Sequence, residues 1–179
     1  MKKYLWIIIG VMSLMMAISV PAFAANTANI NVTISISASA DITVTGGSID
    51  FGMKSINSPV ISGSAIVIKN TGSGSAETYS LNLTEPAVWK SVTATAPGFD
   101  QYRLSAAFAT TGTAVTWVTS QALTTTPVAA SATQFAGDQT GLSVAYNDSR
   151  NLWLKLETPN GTSSPAQKTI AVTITATPD

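Results

Sequence analysis

From Asn29 to the end of the chain, apolar residues alternate with hydroxyl-bearing or amide residues at a period of two. Ile30, Val32, Ile34 and Ile36 alternate with Asn31, Thr33, Ser35 and Ser37. Tyr79, Leu81 and Leu83 alternate with Ser80, Asn82 and Thr84, and Ile170, Val172 and Ile174 point inward with Thr169, Thr173 and Thr175 outward. Successive side chains of a strand point to opposite faces, so each run makes a strand with one apolar face and one wet face. Beyond residue 24 no window carries the i, i+3, i+4 stripe that a helix needs to bury a side.

Turn residues cut this pattern about every ten positions. Gly46-Gly47, Gly52, Asn70-Thr71-Gly72-Ser73-Gly74, Pro86, Pro97-Gly98, Asn147-Asp148-Ser149 and Asn160-Gly161 each mark the end of an apolar run. The expected strands are 29–37 with its continuation through Ile42 and Val44, Ile49–Phe51, Ala65–Lys69, Tyr79–Leu83, Val88–Ala94, Tyr102–Phe108, Val115–Val118, Leu142–Tyr146, Leu152–Leu156 and Lys168–Ala176. Residues 53–63 read as a polar connection, and 119–140 as a long loop with at most one short strand. Nine or ten short strands in a chain of this length predict an all-β, antiparallel β-sandwich, with a closed barrel the lesser alternative.

The start of the chain reads as an export leader. Lys2 and Lys3 precede an apolar stretch from Leu5 to Val20, and Ala22 and Ala24 stand at −3 and −1 from the Ala24–Ala25 bond. The expectation is a cleaved signal peptide, 1–24, followed by one domain, 25–179, in a secreted, periplasmic or cell-surface protein of bacterial origin. Removing Lys2 and Lys3 takes the nine basic residues to seven against nine acidic ones, a formal charge of −2. Without a basic cluster, nucleic acid and anionic membranes are poor partners. The chain contains no cysteine and no histidine. Disulfides, thiolate chemistry, zinc ribbons and His-based triads are therefore absent, and no cofactor or metal is expected.

Two segments carry a resemblance. Ser48-Ile49-Asp50-Phe51-Gly52 is followed by Ser64-Ala65-Ile66-Val67-Ile68-Lys69-Asn70-Thr71-Gly72 and then by Tyr79-Ser80-Leu81-Asn82-Leu83. This order, a run ending in Phe-Gly before a strand ending in Asn-Thr-Gly, resembles the opening of bacterial Ig-like surface domains. Leu152 to Leu156, a turn and a long last strand resemble the close of one. The resemblance covers about a quarter of the chain and its motifs are turn chemistry. It implies an Ig-like sandwich and says little of function.

Three sets of residues are candidates for function. Glu77, Glu85, Asp100, Asp138, Asp148 and Glu157 lie in or beside turns and read as solvated turn acids. A carboxylate-dependent glycoside hydrolase would need two of them facing each other across a cleft. Trp89, Trp117 and Trp153 lie in expected strands, Trp153 out of phase with Leu152 and Leu154. Aligned on one exposed face they would form a sugar-stacking strip; the plainer expectation is that a loop or second sheet covers them. Ile30, Val32, Ile34 and Ile36 follow directly on the cleavage site. They read as the first strand of the chain's own sheet, or as a strand for exchange with a neighbour. The expected role is non-enzymatic, structural or adhesive, with the chain itself, other surface proteins or carbohydrate as partners.

Overall fold

In the computed structural model, residues 39–93 and 96–179 are described. The expected leader, the strand expected at 29–37 and the end of the run expected to reach Ala94 lie outside them. The described chain is almost entirely β and forms two sheets. Its strands are β1 (Ile42–Thr45), β2 (Pro59–Ile61), β3 (Ile66–Asn70), β4 (Glu77–Thr84), β5 (Lys90–Ser91), β6 (Gln101–Phe108), β7 (Val128–Ala129), β8 (Ser149–Glu157) and β9 (Ala171–Pro178). The larger sheet runs β1-β3-β8-β6-β5, with β2 also paired to β8; the smaller runs β7-β4-β9. Every strand pair is antiparallel except β5 with β6.

Both sheets turn their apolar faces to one core. Ile66 and Ile68, Tyr79, Leu81 and Leu83, Tyr102, Leu104, Ala106 and Phe108, and Leu152 and Leu154 are all buried there. Ile170, Val172, Ile174 and Ala176 pack on this cluster half-buried. The phase of each long strand is the one its alternation dictates, because a one-residue slip would turn the whole apolar set to water.

The Asn70-Thr71-Gly72 motif closes the corner between β3 and β4. Asn70 is fully buried; its Nδ2 donates to the carbonyls of Ser75 and Val144, both at 2.9 Å, and its Oδ1 accepts the Gly72 N–H at 2.9 Å. A Cβ on Gly72 would lie 2.3 Å from Glu77 Oε1 and 2.7 Å from the Ser39 carbonyl, so only glycine fits.

Four expected strands change. Ile49 and Phe51 pack half-buried on the core but join no ladder. Gly46 and Gly52 at φ +75 and +65, and a Gly52 N–H bonded to Asp50 Oδ1 at 2.7 Å, curl the segment away. Val115–Val118 is extended and unpaired between 3₁₀ turns at Gly112–Ala114 and Thr119–Gln121, because this stretch crosses the outer face of the large sheet. Leu142–Tyr146 keeps one bridge, Val144 to Glu77; positive φ at Ser143 and Asn147 breaks the extension on either side. Of the run expected to begin at Val88, only Lys90–Ser91 pairs, since Val88 itself sits at φ +78. Conversely, Pro59–Ile61 in the expected connection forms β2, taking the edge of β8 over Lys155–Glu157. Proline is tolerated there at the start of an edge strand.

The stretch 119–140 holds one short strand, β7, yet it is firmly packed. Leu123, Ala130 and Phe135 are buried, and the Phe108 N–H donates to the Phe135 carbonyl at 2.8 Å. It closes the side of the molecule where β6 faces β4. On the opposite side the small sheet ends, among the described residues, at β9.

Candidate functional site

The acids are mostly tied into the structure. Thr110 donates both its N–H, at 2.7 Å, and its hydroxyl to Asp138. Asp100 accepts from the Thr162 hydroxyl at 2.7 Å and from the Ser163 N–H and hydroxyl at 2.9 and 2.6 Å. Glu85 accepts from the N–H and hydroxyl of Ser91, both at 2.8 Å, and from Lys90 at 3.0 Å. The hydrogen bonds to Asp100 and Asp138 hold both carboxyls below the ordinary aspartate value. Burial pushes Glu85 up, but the bonds from Ser91 and Lys90 outweigh it and leave it lowered. Asp148 is exposed, 3.6 Å from Arg150.

Glu157 closes an ion chain on the outer face of the large sheet. Arg103 Nη2 lies 2.5 Å from its Oε2 and Lys155 Nζ 2.8 Å from its Oε1. Burial raises this carboxyl and the two cations pull it below the ordinary glutamate value.

Glu77 corrects the expectation of a solvated turn acid. It opens β4 in phase with Tyr79, Leu81 and Leu83 and is fully buried. Its Oε1 accepts the Asp41 N–H at 3.0 Å. Nothing in residue type announced this; only the phase of β4 did.

The three tryptophans occupy two places. Trp153 points outward from β8, opposite to Leu152 and Leu154, and is covered by the 109–118 stretch. It shares a small outer cluster with Trp117, Ala107, Ala109 and Val115, and its Nε1 donates to the Ala109 carbonyl at 3.0 Å. Trp89 packs instead on the main core, 6.3 Å from the Tyr102 ring, with its Nε1 donating to Thr162 at 2.9 Å and Lys168 Nζ 5.8 Å from its ring centre. The structure thus brings Trp117 and Trp153 together and leaves Trp89 apart.

Two concavities among the described residues bear on function. The larger, about 340 Å³, opens on the outer face of the large sheet among Trp117, Arg103, Lys155 and Glu157. One aromatic wall beside a chain of charged donors and an acceptor can accept a sugar ring by stacking and hydrogen bonding. The smaller, about 120 Å³, is an apolar groove beside β9, lined by Val44, Ile49, Ile66, Leu154, Val172 and Ile174 among others. Its chemistry is that of a slot for aliphatic side chains. Sequence reasoning found neither hollow, because each is made by residues from three or more separate segments. The strand-exchange candidates Ile30, Val32, Ile34 and Ile36 lie outside the described residues.

Among the described residues no cluster of acids has metal-binding geometry, and no helix is long and apolar enough to cross a membrane. Compared with known proteins, the chain matches no family model and no curated sequence.

Proposed function

We propose that this chain is an exported, non-enzymatic β-sandwich of Ig-like type that acts structurally or adhesively at the cell surface or in the surrounding matrix. The observation that carries this reading is the use made of the acids. Asp100 and Asp138 each bind two or three donors from a neighbouring loop, Glu85 binds three from β5, and Glu157 is held between two cations. Carboxylates so engaged stabilise loops and are poor general acids or nucleophiles, whose pKa values would be raised or whose faces would be open. The export leader and the Ser- and Thr-rich wet faces of the strands fit a module exposed outside the cell.

Protease shaving and antibody labelling of intact cells test the location, with a mature N-terminus at Ala25. Recovery only from cytoplasm, starting at Met1, would overturn it. Carbohydrate binding is the second reading, favoured by the hollow beside Trp117. Electrophoresis through gels containing soluble polysaccharide separates the two. Retardation that disappears in Trp117→Ala would make glycan recognition the function; unretarded migration leaves the structural role.

A further inference from the structure

Arg103, Ser105, Lys155 and Glu157 occupy successive outward positions of β6 and β8. Arg103 is in register with Glu157 and Ser105 with Lys155, so the ladder sets the four side chains together on one face. Trp117, Val118 and Thr119 complete the lining of the hollow of about 340 Å³ above them, within the usual size range of ligand pockets. Trp117 is half-buried and packs against the outer cluster of Ala107, Ala109 and Val115, which steadies its ring.

The charges of this hollow do not cancel. Glu157 meets Arg103 with Oε2 and Lys155 with Oε1, so two cations share one carboxylate and leave a surplus of one positive charge. The side chains of Arg103, Lys155 and Glu157 are only 18%, 21% and 16% exposed. Charges so far withdrawn from water attract a ligand more strongly than solvated ones. An ammonium has three N–H donors, and Glu157 engages Lys155 through a single contact at 2.8 Å. Beyond residue 24 the acids outnumber the bases by nine to seven, so the positive surplus is local.

We propose that this hollow binds an acidic polysaccharide whose pyranose rings carry carboxylates, with a ring on Trp117 and its carboxylate at Lys155 and Arg103. A neutral sugar would leave the surplus charge unanswered, and a small inorganic anion would leave the Trp117 surface uncovered. The carboxylate of a hexuronate projects from the edge of its ring, so it points sideways from a ring stacked on an indole. Guanidinium and ammonium groups that already hold the carboxylate of Glu157 suit a second one. The preference for an acidic sugar rests on the carbohydrate reading of the same hollow. Glu157 competes with such a ligand for the two cations, so removing its charge should tighten binding. For a neutral sugar Glu157 would instead accept from hydroxyls, and its loss would weaken binding.

The mature protein is run through native gels containing polygalacturonate, dextran sulfate or neutral dextran, in about 0.1 M salt to screen long-range attraction. Retardation by polygalacturonate at least about tenfold stronger than by either dextran is expected. Trp117→Ala and Lys155→Gln should each weaken it about tenfold, and Glu157→Gln should strengthen it. Lys54→Gln removes an exposed charge outside the hollow and should change nothing. The gain in Glu157→Gln cannot come from misfolding, which keeps the outcome readable if Trp117→Ala unfolds. Equal retardation by polygalacturonate and neutral dextran, lost in Trp117→Ala, would overturn the acid preference while the carbohydrate reading stands. Retardation by dextran sulfate as strong as by polygalacturonate, or weakened equally by Lys54→Gln, would reduce the site to general charge attraction and overturn the proposal. Free migration in all three gels would overturn both the proposal and the carbohydrate reading, as weaker binding in Glu157→Gln would overturn the proposal alone.

Discussion

Val88 is a β-branched residue at φ +78, a region that costs a side chain branched at Cβ roughly 1–2 kcal/mol. It stands 48% exposed between Pro86 and Trp89, so its side chain contributes little packing in return. Val88→Asn should relieve the strain without the entropic penalty of glycine, stabilising the fold by about 0.5–1 kcal/mol. A melting temperature below that of the parent protein would refute this. Residue chemistry elsewhere was readable to different degrees. Asn70 and Gly72 are turn residues by type, and the structure gives each a specific task at the β3–β4 corner. Val88 and Phe135 were not readable as left-handed positions, because neither type favours that region and only the surrounding packing holds them there. Glu77 was misplaced for a related reason: composition says acids are wet, and strand phase overrides composition.

At the level of elements, long strands were legible and short ones were not. β4, β6, β8 and β9 each carry three or four alternating apolar residues, enough for periodicity to fix both type and facing. β2, β5 and β7 hold two or three residues apiece, too few for a period, and exist because a longer neighbour offers an edge. Val115–Val118 failed in the other direction, with Val115 and Trp117 packing in the outer cluster with Trp153 and Ala107 instead of pairing. The facing of β9 gives a direct test. Val172 packs on the core while Thr173 is exposed, so Val172→Asp brings a charge against apolar neighbours. It should cost several kcal/mol, a fall of about 10 °C or more in melting temperature, with Thr173→Asp within about 0.5 kcal/mol of the parent. Equal shifts would mean that β9 is registered one residue out.

For the molecule as a whole, the absence of histidine and cysteine removes the side chains that ordinarily titrate between pH 5 and 9. Stability should then change with pH at two edges. On the acid side Glu85, Asp100, Asp138 and Glu157 all have lowered folded pKa values. A group held lower in the folded state contributes stability above its unfolded value, 4.5 for Glu and 3.8 for Asp, and that contribution is lost as pH falls through the folded value. On the alkaline side, burial pushes the Tyr79 hydroxyl up to about 12, aided by the Glu77 charge, and burial raises Tyr102 likewise. A group raised on folding stabilises below its unfolded value, 10.0 here, and that stability is lost as pH climbs toward the folded one. The melting temperature of the mature protein should therefore be flat from about pH 5.5 to 9, apart from any small effect of the α-amino group, and fall on both sides. Glu157→Gln should flatten part of the acid limb while leaving the alkaline limb as it was, since Arg103 and Lys155 then face a neutral amide that does not titrate. Replacing Tyr79 with Phe should do the reverse. A steep slope inside the plateau, or an acid limb unchanged in Glu157→Gln, would show that some other group governs the response.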